Sequence, residues 1–283
     1  MVQPTHNETD PRPGADFSLG LVVNTFNQPD YLARVLAAIS RQTHSPAEVL
    51  LADDGSDPET RHLFQTWAAS QSFRCEHVWQ PREGFRRARI LNRAILKAAS
   101  QYLVFLDGDT IPHPRFVADH CRLAQPKTLV QGHRALVGQK AAAFFGLGAF
   151  HRDRRATLLS WQLQGLKHAF RWPFAWRRYR ATLRGTRGCN LAIWRRDLVQ
   201  VNGYNEAFIG WGREDSELVW RLIHAGVRRL DVRGWALCYH LWHPPAGRDQ
   251  LAANDQLLAE AIAQKTAWCE QGLDRADGAN RGG

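Results

Sequence analysis

What this sequence lacks narrows it before any motif is read. None of its 283 positions opens a run of about 18 apolar residues, so no segment reads as a membrane span. The opening stretch, Met1 to Asp16, is polar and proline-bearing and has no apolar heart of a secretory signal; it reads as a disordered leader. Cysteine is sparse, and Cys75, Cys121, Cys189, Cys238 and Cys269 are odd in number and unpaired in spacing. That argues against a disulfide framework or a zinc knuckle and for free thiols in a reducing, cytoplasmic compartment. No internal repeat is present. Acid is nearly absent from one region, since Asp153 is the sole acidic residue between His151 and Arg187.

What is present is an excess of base. The formal net charge is +10, which suits nucleic acid, an anionic membrane or a phosphorylated small molecule by the same electrostatics. The excess is local: in the 151–187 stretch the arginines are interleaved with Trp161, Phe170, Trp172, Phe174, Trp176 and Tyr179. Such a mixture makes stacking grooves for single strands. It also docks on an anionic membrane, peripheral to its inner face, or forms a lid over a second substrate with a solvated basic face.

The rest of the chain alternates. Ser18 to Asn24 reads as a buried strand, followed by a helix capped by Asp30 with Leu32, Val35, Leu36 and Ile39 at helical spacing. Glu48 to Ala52 is a second strand that runs into Asp53-Asp54-Gly55-Ser56, and a helix follows from about Pro58. Cys75 to Trp79 reads as a strand, Arg87 to Ala99 as a helix, and Tyr102 to Leu106 as a strand delivering Asp107-Gly108-Asp109. This alternation predicts an α/β protein whose central sheet is Rossmann-like and mostly parallel, with helices on both faces. Ligands of such sheets sit beyond the carboxyl ends of the strands. Asn24, Asp54 and Asp107 should therefore share one rim. Beyond a loosely patterned stretch come an ordered segment at Gly188–Trp194, a helix from near Glu214, a strand at Val227–Val232 and a helical tail from Asp249 to Trp268.

Five clusters carry chemistry. Asp107 and Asp109, one glycine apart at a strand end, can place oxygens on a hard cation, Mn²⁺ or Mg²⁺, that bridges to a diphosphate; the same tripeptide also reads as a solvated turn. A haloacid-dehalogenase-type aspartate pair would continue with Thr or Val where Ile111 stands. Asp54 can accept from the imide of a uracil ring, or its turn can simply cap the next helix. Gly210-Trp211-Gly212 precedes Glu214 and Asp215 at a helix start, where acids offset the helix dipole; an aromatic plate beside a carboxylate also suits a sugar hydroxyl and its general base. His240 or His243, before Pro244-Pro245, can add a nitrogen ligand to the metal. The basic helix start after Gly84, with Arg89, can reach phosphates or present a solvated face.

Together these pieces resemble family 2 glycosyltransferases of the GT-A fold, with an order also similar to β-1,4-galactosyltransferases and chondroitin-type polymerases. The resemblance rests on Val23-Asn-Thr-Phe-Asn27, Asp53-Asp-Gly-Ser56, Phe85-Arg-Arg-Ala-Arg-Ile-Leu-Asn92, Phe105-Leu-Asp-Gly-Asp109, Gly188-Cys-Asn-Leu-Ala192, Gly210-Trp-Gly-Arg-Glu-Asp215 and Tyr239-His240. It implies a nucleotide-sugar site at Asn24, Thr25, Asn27, Asp54, Arg89, Asp107 and Asp109. It also implies an acceptor site at Trp211, Glu214 and Asp215, with Asp215 as the base, and a metal on Asp109 and His240, ahead of Asp107 and His243. The implied partners are a nucleotide-diphosphate sugar, of the UDP-sugar type, and a glycan or glycolipid acceptor, with no nucleic acid. Gly108, Arg213 and Asn24 depart from the common pattern, and the 151–187 insert has no counterpart.

The implied organisation is a leader (1–16), a catalytic domain (17–248) and a C-terminal helix and tail (249–283). The catalytic domain divides into a nucleotide-sugar half (17–133), a basic aromatic insert (134–187) and an acceptor half (188–248). A sugar nucleotidyltransferase would share the architecture, but it needs a glycine-rich triphosphate loop, and residues 24–28 contain no glycine. A nucleic-acid-binding protein would find its phosphates repelled by acidic clusters at three strand ends.

Overall fold

Alternate residues along the early strands are apolar on both faces, which demands cover on both sides. A computed structural model describes residues 16–143, 145, 163–164 and 170–278. All of the leader but Asp16, part of the insert and the end of the tail lie outside those residues. The elements run β1 (Leu19–Thr25), α1 (Pro29–Ile39), β2 (Glu48–Asp53), α2 (Pro58–Ala68), β3 (Arg74–Trp79), α3 (Arg87–Lys97) and β4 (Tyr102–Asp107). Next come β5 (Thr110–Pro112), α4 (Phe116–Leu123), β6 (Thr128–Gln131), β7 (Arg134–Val137), α5 (Gln139–Ala142), β8 (Leu163–Gln164) and β9 (Trp176–Arg180). The last are β10 (Leu191–Trp194), α6 (Arg195–Gln200), α7 (Glu214–His224), β11 (Arg228–Arg233), β12 (Cys238–His240), α8 (Leu251–Gln264) and α9 (Leu273–Gly278).

The main sheet has the order β3-β2-β1-β4-β10-β6-β11-β9. β1 to β4 are mutually parallel, and β6 and β11 run the same way; only β10 and β9 are reversed. The period of two sorts the core. Leu21, Val23, Leu51, Val104 and Leu106 pack on one face with α1, α2 and α4, while Val22, Leu50, Leu103 and Phe105 pack on the other with α3 and α7. Helices thus cover both faces, as the alternation predicts. One boundary differs: α1 starts at Pro29, whose fixed φ suits the first helical position, so Asp30 lies in the first turn and Gln28 is the cap.

A smaller sheet, β5-β12-β7-β8, closes over the carboxyl end of the main one. It sets His240 opposite Thr110 in antiparallel register. The basic insert is not uniformly irregular, for its described part supplies β7, α5 and the outermost strand β9. No helix among the described residues is long and apolar enough to cross a membrane.

Candidate active site

The predicted rim forms. Asn24 stands opposite Asp107 and Thr25 opposite Asp53 in the parallel ladders. The Asp54 amide donates to the Thr25 carbonyl at 3.1 Å, and the Gly108 amide to the Asn24 carbonyl at 2.7 Å. Gly108 has an ordinary backbone; its glycine is explained by crowding, since a Cβ there would lie 3.0 Å from Thr25 Oγ1. In front of this rim opens a cavity of about 910 Å³, at the upper end of small-molecule sites. Asn24, Thr25, Asp107 and Asp109 line one side, and Trp211, Glu214 and Asp215 the other. Asn24 Oδ1 and Thr25 Oγ1 are buried in its wall without a hydrogen-bond partner, and buried polar atoms of that kind call for a ligand.

Asp109, His240 and His243 each bring one ligating atom within 4.8 Å of the others. His243 Nε2 lies 3.1 Å from Asp109 Oδ2, and His240 Nε2 lies 3.6 Å from Asp109 Oδ1. Backbone pairing produces the cluster, because the Leu241 amide donates to the Asp109 carbonyl at 2.9 Å. The second nitrogen of His243 faces the Pro244 carbonyl at 2.7 Å. A carbonyl can only accept, so that nitrogen carries a hydrogen. The other nitrogen donates to Asp109 when the ring is protonated, a state its hydrogen bond to Asp109 favours by raising the His243 pKa against burial. In the neutral ring it offers its lone pair to a cation at the same place. Burial pushes His240 down to about 4, against the pull of Asp109, leaving a neutral imidazole at physiological pH. Burial opposes ionisation of Asp109 as well, but the His243 hydrogen bond and both rings outweigh it and hold this carboxyl below its usual range. Donor type, tautomer and charge all fit a divalent metal. His243, ranked behind His240 on sequence, stands beside Asp109 just as closely.

Beside this cluster one buried guanidinium serves three carboxylates. Arg87 Nη1 lies 2.9 Å from Asp215 Oδ1 and 3.1 Å from Glu214 Oε1, and its Nη2 lies 3.4 Å from Asp107 Oδ1. Burial works against the charge on Arg87, yet Asp215, Asp107 and Glu214 prevail and raise its pKa well above the ordinary value. The surplus of acid shows in the partners. Burial, then repulsion from Asp215, pushes Glu214 up to about 7, with Arg87 opposing. Burial also lifts Asp107 to about 6; Arg87 offsets part of it, and Asp109 and Asp215 add to it. Asp215 also takes a longer hydrogen bond from the Tyr204 hydroxyl at 3.4 Å. Gly188 makes room for the pair, since a Cβ there would sit 2.4 Å from Arg87 Nη2 and 2.5 Å from Asp215 Oδ1.

Trp211 is carried by a loop under unusual constraint. Gly210, Gly212 and Arg213 have φ of 73°, 106° and 80°, a region that a non-glycine such as Arg213 enters only when its surroundings enforce it. The surroundings are α8. Asn254 Nδ2 donates to the Ile209 carbonyl at 3.0 Å, and the Arg213 guanidinium pairs with Asp255. A Cβ on Gly210 would meet Gln250 at 2.9 Å. The C-terminal helix, set apart as a tail on sequence, therefore braces the Trp211 side of the cavity. Arg248 stacks on the Trp211 ring at 5.3 Å.

Three predicted residues do not face the cavity. Arg89 pairs with Glu83 at 2.7 Å, and Arg87 takes the inward place, because two residues along a helix lie about 200° apart around its axis. Asp54 is buried, accepting from Gln80 Nε2 at 2.6 Å and from the Arg86 amide at 2.8 Å. It ties down the start of α3, and burial, only partly offset by those bonds, raises its pKa. Asn27 accepts from the Asp57 amide at 2.8 Å and so joins two loops. Sequence reasoning missed Arg87, Tyr204 and Gly188 as site residues, and also Arg134, which lines the cavity beside Cys189. For Arg87 the helical period within Phe85-Arg-Arg-Ala-Arg89 held the signal.

A family model described as glycosyl transferase family 2 matches residues 21–184. The chain belongs to that family. A second model, described as the N-terminal domain of galactosyltransferase, matches this glycosyltransferase over residues 173–243, the stretch holding Asp215 and both histidines. The enzyme is 28% identical over 255 residues to the validoxylamine A glucosyltransferase of Streptomyces hygroscopicus subsp. limoneus, covering 80% of this chain and 53% of the relative. It is 22% identical over 272 residues to the chondroitin synthase of Escherichia coli, covering 88% of this chain and 38% of the relative. The transferase thus spans about half, or less, of the length of these curated relatives. Among solved structures, the mannosyltransferase PcManGT from Pyrobaculum calidifontis, in complex with GDP-Man and Mn²⁺, matches with a TM-score of 0.57 at 20% identity, covering 90% of this chain and 67% of that one. GalNAc-T7 with UDP, GalNAc and Mn²⁺ matches with a TM-score of 0.59 at 15% identity, covering 80% and 44%. The glycosyltransferase shares their GT-A fold.

Proposed function

We propose that this transferase is an inverting, metal-dependent enzyme that moves a sugar from a UDP-sugar to a hydroxyl of a glycan or glycolipid, in the assembly of a cell-surface polysaccharide or lipopolysaccharide. The observation that carries the reading is the placement of Asp215 and Asp109 on one cavity, with Arg87 between their two sides. Asn24 and Thr25 offer their unpartnered oxygens to the nucleoside end of the donor. Asp109, His240 and His243 would hold the metal, which supplies charge to neutralise the departing diphosphate. Two imidazoles in the set favour a transition ion, Mn²⁺ over Mg²⁺. Complexes of both solved neighbours contain Mn²⁺.

Trp211 offers a flat surface to the acceptor ring, and Glu214 sits beside it for a hydroxyl. Asp215 takes the acceptor proton as the acceptor oxygen bonds to the anomeric carbon. The bond from that carbon to the diphosphate oxygen breaks on the opposite face, and its electron pair leaves with UDP. Arg87 keeps the Asp215 carboxylate aimed and stays charged throughout. The test is a thermal-shift panel of nucleoside diphosphates and their sugars with Mn²⁺. UDP-sugars should raise the melting temperature with Mn²⁺ and not with chelator. Stabilisation by UDP equal in both conditions would overturn the metal assignment, and stabilisation by GDP or dTDP alone would overturn the donor assignment.

A further inference from the structure

The outer edge of the main sheet is built unlike the rest of the surface. β9 pairs with β11 on one side and is the last strand. The loop before it and β9 itself expose Phe174 at 85%, Trp172 at 57% and Trp176 at 47%. These rings are held out rather than left loose. The Trp172 amide donates to the Gly234 carbonyl at 3.0 Å, Trp235 Nε1 donates to the Trp172 carbonyl at 3.1 Å, and Arg171 grips the buried Asp119 through two bonds. Charge accompanies them. Arg233 stacks on Trp176 at 5.1 Å, and Arg122 and Arg177 both reach the Trp235 ring at under 6 Å. Among the described residues, neither these three arginines nor Arg178 forms an ion pair.

Direction along the sheet places this edge relative to the cavity. β11 is parallel to β6, and β6 and β4 are both antiparallel to β10, so the carboxyl end of β11 lies on the same rim as Asp107. That end is Arg233, opposite Trp176. From β4 to β9 there are four strand steps, or roughly 19 Å at the usual strand spacing. The aromatic edge and the cavity open toward the same side of the molecule.

We propose that this edge, residues 170–178 with Arg122 and Arg233, docks on an anionic lipid bilayer. Phe174 and Trp172 enter the boundary between headgroups and acyl chains, and the guanidiniums meet lipid phosphates. Charge complementarity selects this occupant. A second copy of the chain would bring an equally basic face. A single-stranded nucleic acid needs open ring faces, whereas Trp176 and Trp235 are already stacked with arginine, and Phe174 projects furthest with no polar group. Docking rests on the transferase reading only for its purpose, which is to hold the cavity near a lipid-linked acceptor.

Flotation of the full chain with phosphatidylcholine vesicles, with and without phosphatidylglycerol, tests the proposal. The chain should float with the anionic vesicles and stay behind with the neutral ones. Replacing Arg177 and Arg178 together by Gln should lower partitioning roughly tenfold or more. Phe174→Ala should lower it about fivefold. Melting temperatures and acceptor-free hydrolysis of the donor should match the parent in both variants, so a folding defect is recognised at once. Failure of the parent to float, or flotation indifferent to these substitutions, overturns docking. So does capture by an oligonucleotide, or a dimer abolished by Phe174→Ala, in a chain that ignores vesicles. A parent that floats but gains no Mn²⁺-dependent thermal shift from UDP or its sugars sinks the UDP-sugar reading and leaves docking standing.

Discussion

The cavity and the β9 edge concentrate charge of opposite sign, and they manage it in opposite ways. In the cavity, acid is concentrated and buried: three carboxylates share Arg87, and a fourth faces two imidazoles. At the edge, base is concentrated and largely exposed: Arg171 and Arg180 pair with Asp119 and Asp231, while Arg122, Arg177 and Arg233 lie against aromatic rings instead of counter-charges. Buried charge must find partners and an exposed one need not, since water screens it. The net charge of +10 averages over this division and reports neither region. The cavity should therefore be brittle to single substitutions and the edge indifferent in stability.

The largest effect expected is at Asp215. Asp215→Asn keeps the shape and removes the base, so turnover should fall about 10²- to 10⁴-fold while UDP affinity stays near that of the parent. Loss of nucleotide binding with turnover retained would reverse the assignment. Arg87→Met comes next. It strands a cluster of buried carboxylates, and urea unfolding at pH 8 should show a loss of about 3–5 kcal/mol. A loss within experimental scatter would mean the carboxylates find other partners.

His243→Ala should weaken Mn²⁺ binding by about 10- to 100-fold, on the scale seen when groups around a metal are removed, as read by Mn²⁺ titration of the UDP-dependent thermal shift. An unchanged titration would leave His240 and Asp109 as the whole protein set. Glu214 gives a pH signature. Its folded pKa is raised from 4.5 to about 7, so its contribution to stability is full below 4.5 and is lost as pH rises through 7. Glu214→Gln should flatten that decline and gain on the order of 2 kcal/mol at pH 8; equal slopes in the two proteins would refute it. Smallest is the edge, where Phe174→Ala should alter unfolding free energy by no more than about 0.5 kcal/mol. A larger loss there would make the edge part of the core and erase the contrast.

Most of the fold could be read directly, because alternating strands and helices with buried faces leave few arrangements open. Leu32, Val35, Leu36 and Ile39 all face the core as their spacing predicts, and Asn24 and Asp107 meet on one rim. What escaped the reading was side-chain direction. Arg87 and Arg89 are equivalent in composition, and only the start of α3 decides which turns inward. Asp54 and Asn27 looked like ligand groups because polar residues at strand ends often are; here loop amides claim them. His243 lies three residues past the end of β12, where no strand register fixes the direction of its side chain. β9 was hidden for another reason. Arginine-rich strands are uncommon, and WRRYR becomes one only because the edge of an existing sheet is there to receive it.

The brace between α8 and the Trp211 loop has a mechanical consequence. The Asn24 and Asp107 end of the cavity is fixed by backbone ladders at the centre of the sheet, which yield only when the whole domain unfolds. The Trp211 end hangs on a few side chains, Asn254 and Asp255 among them, from a segment some forty residues further along. Loosening that helix would free the Trp211 platform alone; on the roles proposed above, such a protein would still grip a nucleotide but no longer steer what receives the sugar.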